Sequence, residues 1–335
     1  MTITRALAAC LFAVATATVS LPAAVGATSS DPAGFSSTGS AQALISGHYG
    51  LGEFNKSAAS SWNAAEPQAP AGGFPVLVFG DSHTGGTVLP ISADSRGCMH
   101  SARSWPSQLN DRLGGNAVLD ASCWGSGLNS GHGIPLADQV RYAESVSGLG
   151  QSTRDIIIQM GFNDTWSGHG TTMLETAVTC ITNRAACNRG HAPQQVINPA
   201  DITADSYVAR LKPVTDYLAY YAPNATIHLL GYASLNPAGD PAVCATIAGA
   251  PLRLAGTELV GEEFAALHKA QQQAAARLGL DFIDLSAATA GHHSCSADPW
   301  ISGIGDIRAG LGGAIYHPSV TGNRVAGDLV ASRLR

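Results

Sequence analysis

From Phe74 onward, short unbroken apolar runs alternate with longer stretches of helical spacing, and no other feature limits the possible folds as much. Pro75-Val76-Leu77-Val78-Phe79 is apolar at every position, as a strand is when both faces of its sheet are covered. Residues 102–113 read as a helix, with Trp105, Leu109 and Leu113 four apart on one face. Residues 117–119 give a second strand and residues 155–160 (DIIIQM) a third. Helices are expected around 204–221 and 258–278, strands around 226–230 and 282–285, and a closing helix over 320–334. Such alternation predicts a parallel sheet covered on both faces, within one α/β domain of about 260 residues spanning 74–335. No internal repeat breaks the pattern.

The residues before this domain have a different texture. Arg5 supplies a positive start, residues 6–19 are uncharged and apolar, and Val25-Gly26-Ala27 offers small residues for cleavage. Residues 1–27 are therefore expected to be a secretory signal peptide, since the apolar stretch is short for a membrane span. Residues 28–73, rich in Ala, Ser, Gly and Pro, read as a flexible or loosely packed extension. Six cysteines remain once Cys10 leaves with the signal: Cys98, Cys123, Cys180, Cys187, Cys244 and Cys295. An even count in a secreted chain implies disulfides, and the sequential pairing, which closes three local loops, is expected among the fifteen possible. A zinc site would want C-x-x-C or a spaced His pair, and the adjacent His292-His293 is a weak substitute. With 18 Lys and Arg against 24 Asp and Glu, the net charge of −6 argues against a nucleic-acid partner.

Chemistry-bearing residues gather where the strands end. Gly80-Asp81-Ser82-His83 follows the first strand directly, and in open parallel sheets ligands collect beyond the carboxyl ends. Cys123-Trp124-Gly125 follows the second strand and Gly161-Phe162-Asn163-Asp164 the third, bringing a glycine and a carboxamide. Tyr316-His317-Pro318 precedes the final helix and supplies a candidate base. Each piece alone is an ordinary turn; four in one order, three of them at strand ends, point to a catalytic site.

This constellation resembles the GDSL/SGNH hydrolase family, whose Ser, Gly, Asn and His occupy separate sequence blocks. Ser82, Gly125, Gly161-x-Asn163-Asp164 and His317-Pro318 match those blocks in order. The likeness is to the secreted actinobacterial esterases and lipases, on the strength of Cys98 to Ser104, Cys123 to Gly125, the Cys180/Cys187 insertion and Gly291 to Trp300. It implies a three-layer α/β/α sandwich with a mainly parallel, flavodoxin-like sheet, and it supports the sequential disulfides. It also implies a secreted serine esterase or lipase acting on carboxylic esters. The substrate would be a lipid, a short-chain acyl ester or an acylated polysaccharide. Ser82 would be the nucleophile and His317 the base, with Ser82, Gly125 and Asn163 forming the oxyanion hole. No cofactor, metal, nucleic-acid partner or stable membrane anchor is expected, and a monomer is.

One position departs from the family. An Asp commonly lies three residues before the histidine, and here that residue is Ala314. Some secreted relatives use a main-chain carbonyl instead, so a carbonyl within 300–303 or near Ala314 is the expected partner, ahead of Asp298 or Asp306. His83 and Asp81 are expected to act locally, His83 on structure or on the substrate side and Asp81 on the turn. As a histidine base, His317 predicts activity rising around pH ~6–7. Two rival readings compete. A metallophosphoesterase could begin with Gly80-Asp81-x-His83, although it would need further ligands. A non-catalytic protein could bind carbohydrate through Trp124 or Trp166.

Overall fold

The computed structural model describes residues 69–187, 196–247, 249–306 and 313–334. The expected signal peptide and most of the 28–73 extension lie outside the described residues. Within the described part, the carbonyl oxygens of Ala69, Pro70 and Gly72 accept hydrogen bonds from Gln151 and Ser152, so the chain is already docked before the first strand.

Five strands form one sheet: β1 (Val76–Gly80), β4 (Val118–Asp120), β5 (Asp155–Gln159), β6 (Thr226–Leu230) and β9 (Asp281–Ile283). Their spatial order is β4-β1-β5-β6-β9, and every pairing is parallel. Leu77 pairs with Leu119 on one side and Ile156 on the other. β1 and β5 are buried along their whole length, which is why their sequences read as continuous apolar runs. From β1 the chain first moves outward to β4, then crosses back to β5 on the other flank. That reversal opens a crevice beyond the carboxyl end of β1, in the flavodoxin-like arrangement expected.

Helices cover both faces. On one, α2 (Trp105–Arg112) packs against α8 (Val320–Ala331), and Asn323 accepts the Trp105 amide at 3.1 Å. On the other, α5 (Ala204–Tyr221) packs against α6 (Glu258–Leu278) and reaches α3 (Leu136–Ser145) through a 2.8 Å bond from Tyr217 to Glu144. Right-handed crossovers place the two groups on opposite faces. α5 and α6 run as the spacing predicts. A Thr203/Ser206 capping box starts α5, and Gly279 ends α6 with φ at 68°.

Elsewhere the boundaries move. α2 begins at Trp105 rather than 102, because Ser104 caps it and the preceding residues belong to a hairpin. α8 stops at Ala331, β4 begins at Val118, and β9 spans Asp281–Ile283 instead of 282–285. Two hairpins lack a sequence signal. These are β2 (Ile91–Ala93) with β3 (Met99–Ser101), and β7 (Cys244–Ile247) with β8 (Ala250–Arg253). Each is tied to the domain by a bridge, Cys98–Cys123 and Cys244–Cys295 respectively, and Cys180–Cys187 is the third. α3 and α4 (Met173–Thr182) also go beyond the sequence reading, as does the short α7 (Leu285–Thr289). Among the described residues no helix is long and apolar enough to cross a membrane.

Candidate active site

The turn after β1 enters a single helical turn, α1 (Ser82–Gly85), whose N-cap is Asp81. Asp81 is buried: Oδ1 accepts the His83 amide at 2.8 Å and Oδ2 accepts the Tyr232 hydroxyl at 2.7 Å. This fixes the turn as a capping carboxylate does, so Asp81 is engaged in structure. Ser82 is thereby presented at the carboxyl edge of the sheet, and its Oγ lies 2.7 Å from His317 Nε2. The two residues are 235 positions apart in the chain and meet as the chain returns to α8, which packs against α2.

His317 sits in a turn clamped from below. Ser302 donates its amide to the His317 carbonyl at 2.8 Å and accepts the Tyr316 amide at 2.7 Å, while Ile301 bridges Pro318. Ser319 then caps α8 by accepting the Gly322 amide at 3.1 Å. The His317 Nδ1 partner is the Ile315 carbonyl at 2.8 Å, not the carboxylate of Asp298 or Asp306. Asp298 is engaged elsewhere, with His292 at 3.3 Å and Trp300 Nε1 at 3.2 Å. At the position where an Asp is usual, Ala314 donates its amide to Thr87 Oγ1 at 3.0 Å. Because a carbonyl only accepts, the proton of a neutral His317 ring is on Nδ1 and the Nε2 lone pair faces Ser82. Burial, together with the neighbouring His83, pushes the His317 pKa well below the usual histidine value; the bond to Ile315 opposes this only in part.

Gly125 and Asn163 are on the loops that follow β4 and β5, the two strands flanking β1, so both loops border the one carrying Ser82. Gly125 adopts φ of 77°, a conformation that favours glycine. Its loop is anchored by the Cys98–Cys123 bridge, by Cys123 N to Gly80 O at 3.0 Å, and by Arg96 on the Ala121 carbonyl at 3.1 Å. Asn163 is buried and donates Nδ2 to the Ser126 carbonyl at 3.1 Å, joining its loop to that of Gly125. Gly161 needs to be glycine twice over: φ is 126°, and a Cβ would come within 2.9 Å of Leu267 and 3.2 Å of Tyr207. Asp164 binds the two loops together. Its carboxylate accepts from the Leu128 amide at 2.7 Å, the Ser130 hydroxyl at 2.8 Å and Arg210 at 3.0 Å.

Several contributors carried no sequence signal. Tyr232 acts through a hydroxyl 151 positions from Asp81, and Ser126 and Ser302 through main-chain groups; the Ile315 carbonyl, by contrast, answers the expectation of a carbonyl near Ala314. His83 is buried rather than substrate-facing. Trp166 is buried too, stacked on Tyr207 at 5.8 Å with Nε1 on the Gly161 carbonyl, so it offers no carbohydrate platform. Among the described residues no group of three or more His, Cys, Asp or Glu side chains could hold a metal ion.

Comparison with known proteins gives the family and the fold. Residues 78–325 match the GDSL-like Lipase/Acylhydrolase family. Lipase 2 of Streptomyces coelicolor is 26% identical over 271 residues, covering 78% of this chain and 87% of that protein. Among solved structures, the phospholipase A1 of Streptomyces albidoflavus is 21% identical, covers 79% of this chain and 100% of its own, and superposes with a TM-score of 0.55. The extracellular lipase of Streptomyces rimosus is 20% identical and covers 77% of this chain and 99% of its own, with a TM-score of 0.51.

Proposed function

Since the chain belongs to the GDSL-like lipase/acylhydrolase family and is a carboxylic ester hydrolase, we propose that it works through an acyl-enzyme on Ser82 with His317 as the base. The observation that carries this reading is the 2.7 Å contact between Ser82 Oγ and His317 Nε2, with the tautomer set by the Ile315 carbonyl. His317 takes the hydroxyl proton as Oγ attacks the ester carbonyl. The oxyanion is met by the amides of Ser82 and Gly125 and by Asn163, whose Nδ2 keeps one proton beyond that given to Ser126. Collapse passes the proton from His317 to the departing alcohol. Water then repeats the sequence on the acyl-serine, returning the acid and free enzyme.

That a carbonyl, and among the described residues no carboxylate, pairs with His317 Nδ1 has a mechanistic consequence. A carbonyl orients the ring but stabilises the imidazolium less than a carboxylate does, so the positive charge is left mainly to the oxyanion to balance. The name of the Streptomyces coelicolor relative puts lipid esters first among the substrates to try, ahead of short-chain esters and acetylated xylan. Secretion belongs to the same proposal. The signal-like residues 1–27 and three disulfides suit an oxidising, extracellular compartment. Purified from culture medium, the protein should begin near Thr28 and show no free thiol.

The mechanism is tested with p-nitrophenyl esters of graded chain length. Ser82→Ala and His317→Ala should each abolish hydrolysis, and a fluorophosphonate should label the wild type on Ser82 alone. Full activity in either variant would overturn the assignment.

A further inference from the structure

His83 takes no part in the acyl transfer just described, yet it is 1% exposed and lies against the base itself. Its ring stacks on that of His317 with centroids 4.1 Å apart and planes 19° from parallel. Phe162 and Tyr232 press on it edgewise at 4.7 and 4.8 Å. Nε2 lies 3.1 Å from the Tyr316 carbonyl, and since a carbonyl only accepts, that nitrogen carries a proton. Asp81 holds the residue through its backbone: Oδ1 accepts the His83 amide, while Nδ1, 3.3 Å from that oxygen, makes no hydrogen bond.

The turn that this ring holds is strained. Tyr316 has φ of 64° with its side chain fully buried, a left-handed conformation that costs a residue other than glycine about 1–3 kcal/mol. The twist sends two successive carbonyls to two imidazoles, Ile315 to His317 Nδ1 and Tyr316 to His83 Nε2. A peptide flip in this turn would relieve the strain and withdraw a carbonyl from its ring. The hydrogen bond from His83 opposes that flip.

We propose that His83 is a positioning residue for His317: its Nε2–H pins the Tyr316 carbonyl, which keeps the Ile315 carbonyl on Nδ1 and therefore Nε2 on Ser82. A chain running from the Tyr232 hydroxyl through Asp81 and His83 to Tyr316 thus does the orienting work that a carboxylate at position 314 would otherwise do. The inference rests on Ser82 and His317 being nucleophile and base.

Two variants separate the hydrogen bond from simple packing. His83→Phe keeps a ring against His317 but removes the donor, whereas His83→Gln loses the ring and keeps an amide donor of similar reach. On a p-nitrophenyl ester, His83→Phe should lower kcat by about 10- to 100-fold with KM little changed, the scale expected of a misplaced catalytic group. His83→Gln should be the milder of the two. In ¹⁵N-histidine-labelled protein the downfield Nδ1 proton of His317 should be sharp in the wild type and broadened in His83→Phe. If His83→Phe is as active as the wild type, or milder than His83→Gln, the positioning role is refuted. If His83→Phe does not fold, the wild-type spectrum decides, because a His83 protonated on Nδ1 alone would also refute it. Should Ser82→Ala or His317→Ala keep activity, the assignment of nucleophile and base fails instead, whatever the His83 variants do.

Discussion

In the proposed mechanism His317 must be neutral to accept the serine proton, so the pH at which it loses its own proton sets the acid limb of kcat/KM. From the residue type alone that limb belongs near pH ~6–7. Burial and the stacked His83 lower the His317 pKa well below the ordinary histidine value, and among the described residues no carboxylate raises it again. The neutral fraction grows as pH rises through the pKa, so a lower pKa moves the limb to lower pH. Measured on a p-nitrophenyl ester, the half-maximal point of kcat/KM should lie below pH ~6.5, the ordinary histidine value. A half-maximal point at about 6.5 or above would mean that burial does not lower the His317 pKa. In the same proposed mechanism Asn163 acts on the other side of the reaction, as an oxyanion donor. Asn163→Ala removes a donor to the oxyanion, and kcat should fall by roughly 100- to 1000-fold while KM changes little. A KM effect alone would make Asn163 a binding residue.

At the scale of elements, the site depends on loops held at fixed separations. Asp164 shows how: one buried carboxylate binds the start of the 128–130 segment, the Asn163 loop and Arg210 of α5. Asp164→Ala would leave Arg210, only 18% exposed, without its carboxylate and three backbone amides without an acceptor. The expected loss is about 3–5 kcal/mol in urea denaturation, the range for breaking a buried pair. A loss below about 1 kcal/mol would show the network to be replaceable by water. The same scale explains what was legible in advance. The strands of the sheet core and the long helices α5 and α6 are written in unbroken apolar runs, helical spacing and caps. Ser82, Gly125 and Asn163 stand out after strands and His317 before the closing helix, by their order and by their match to the family's blocks. α3 and α4, ten residues each, and the two short hairpins do not; a Thr172/Glu175 capping box starts α4. A main-chain carbonyl near Ala314 is the expected His317 partner, and the Ile315 carbonyl fills that place. It reaches His317 only because Tyr316 adopts a conformation that its side chain disfavours.

Across the whole molecule, the sheet separates chemistry at its carboxyl end from a charge cluster lower down. His228, in the middle of β6, is buried and places Nε2 2.9 Å from Asp155 and Nδ1 2.9 Å from Asp281, the first residues of β5 and β9. Burial alone would lower its pKa, but the hydrogen bonds and charges of the two carboxylates outweigh burial and raise it. The folded state therefore holds this proton more tightly than the unfolded chain. Its contribution is complete below the unfolded value near ~6.5 and is lost as pH climbs through the raised folded value, at about 1.4 kcal/mol for every tenfold gain in proton affinity on folding. His228→Gln cannot take on the charge, so the stability gap between wild type and variant should be widest at pH ~5.5 and shrink steadily above ~6.5. Urea midpoints collected from pH ~5.5 to ~9 would reveal this, and a gap that stays constant or widens with pH would refute it. Because this cluster lies away from the strand ends that carry Ser82, His228→Gln should keep kcat/KM close to the wild-type value at pH ~7, where a still-folded variant can be assayed. Stability and catalysis in this molecule would then answer to different histidines. His228 supports the fold when protonated, and His317 drives the reaction when neutral.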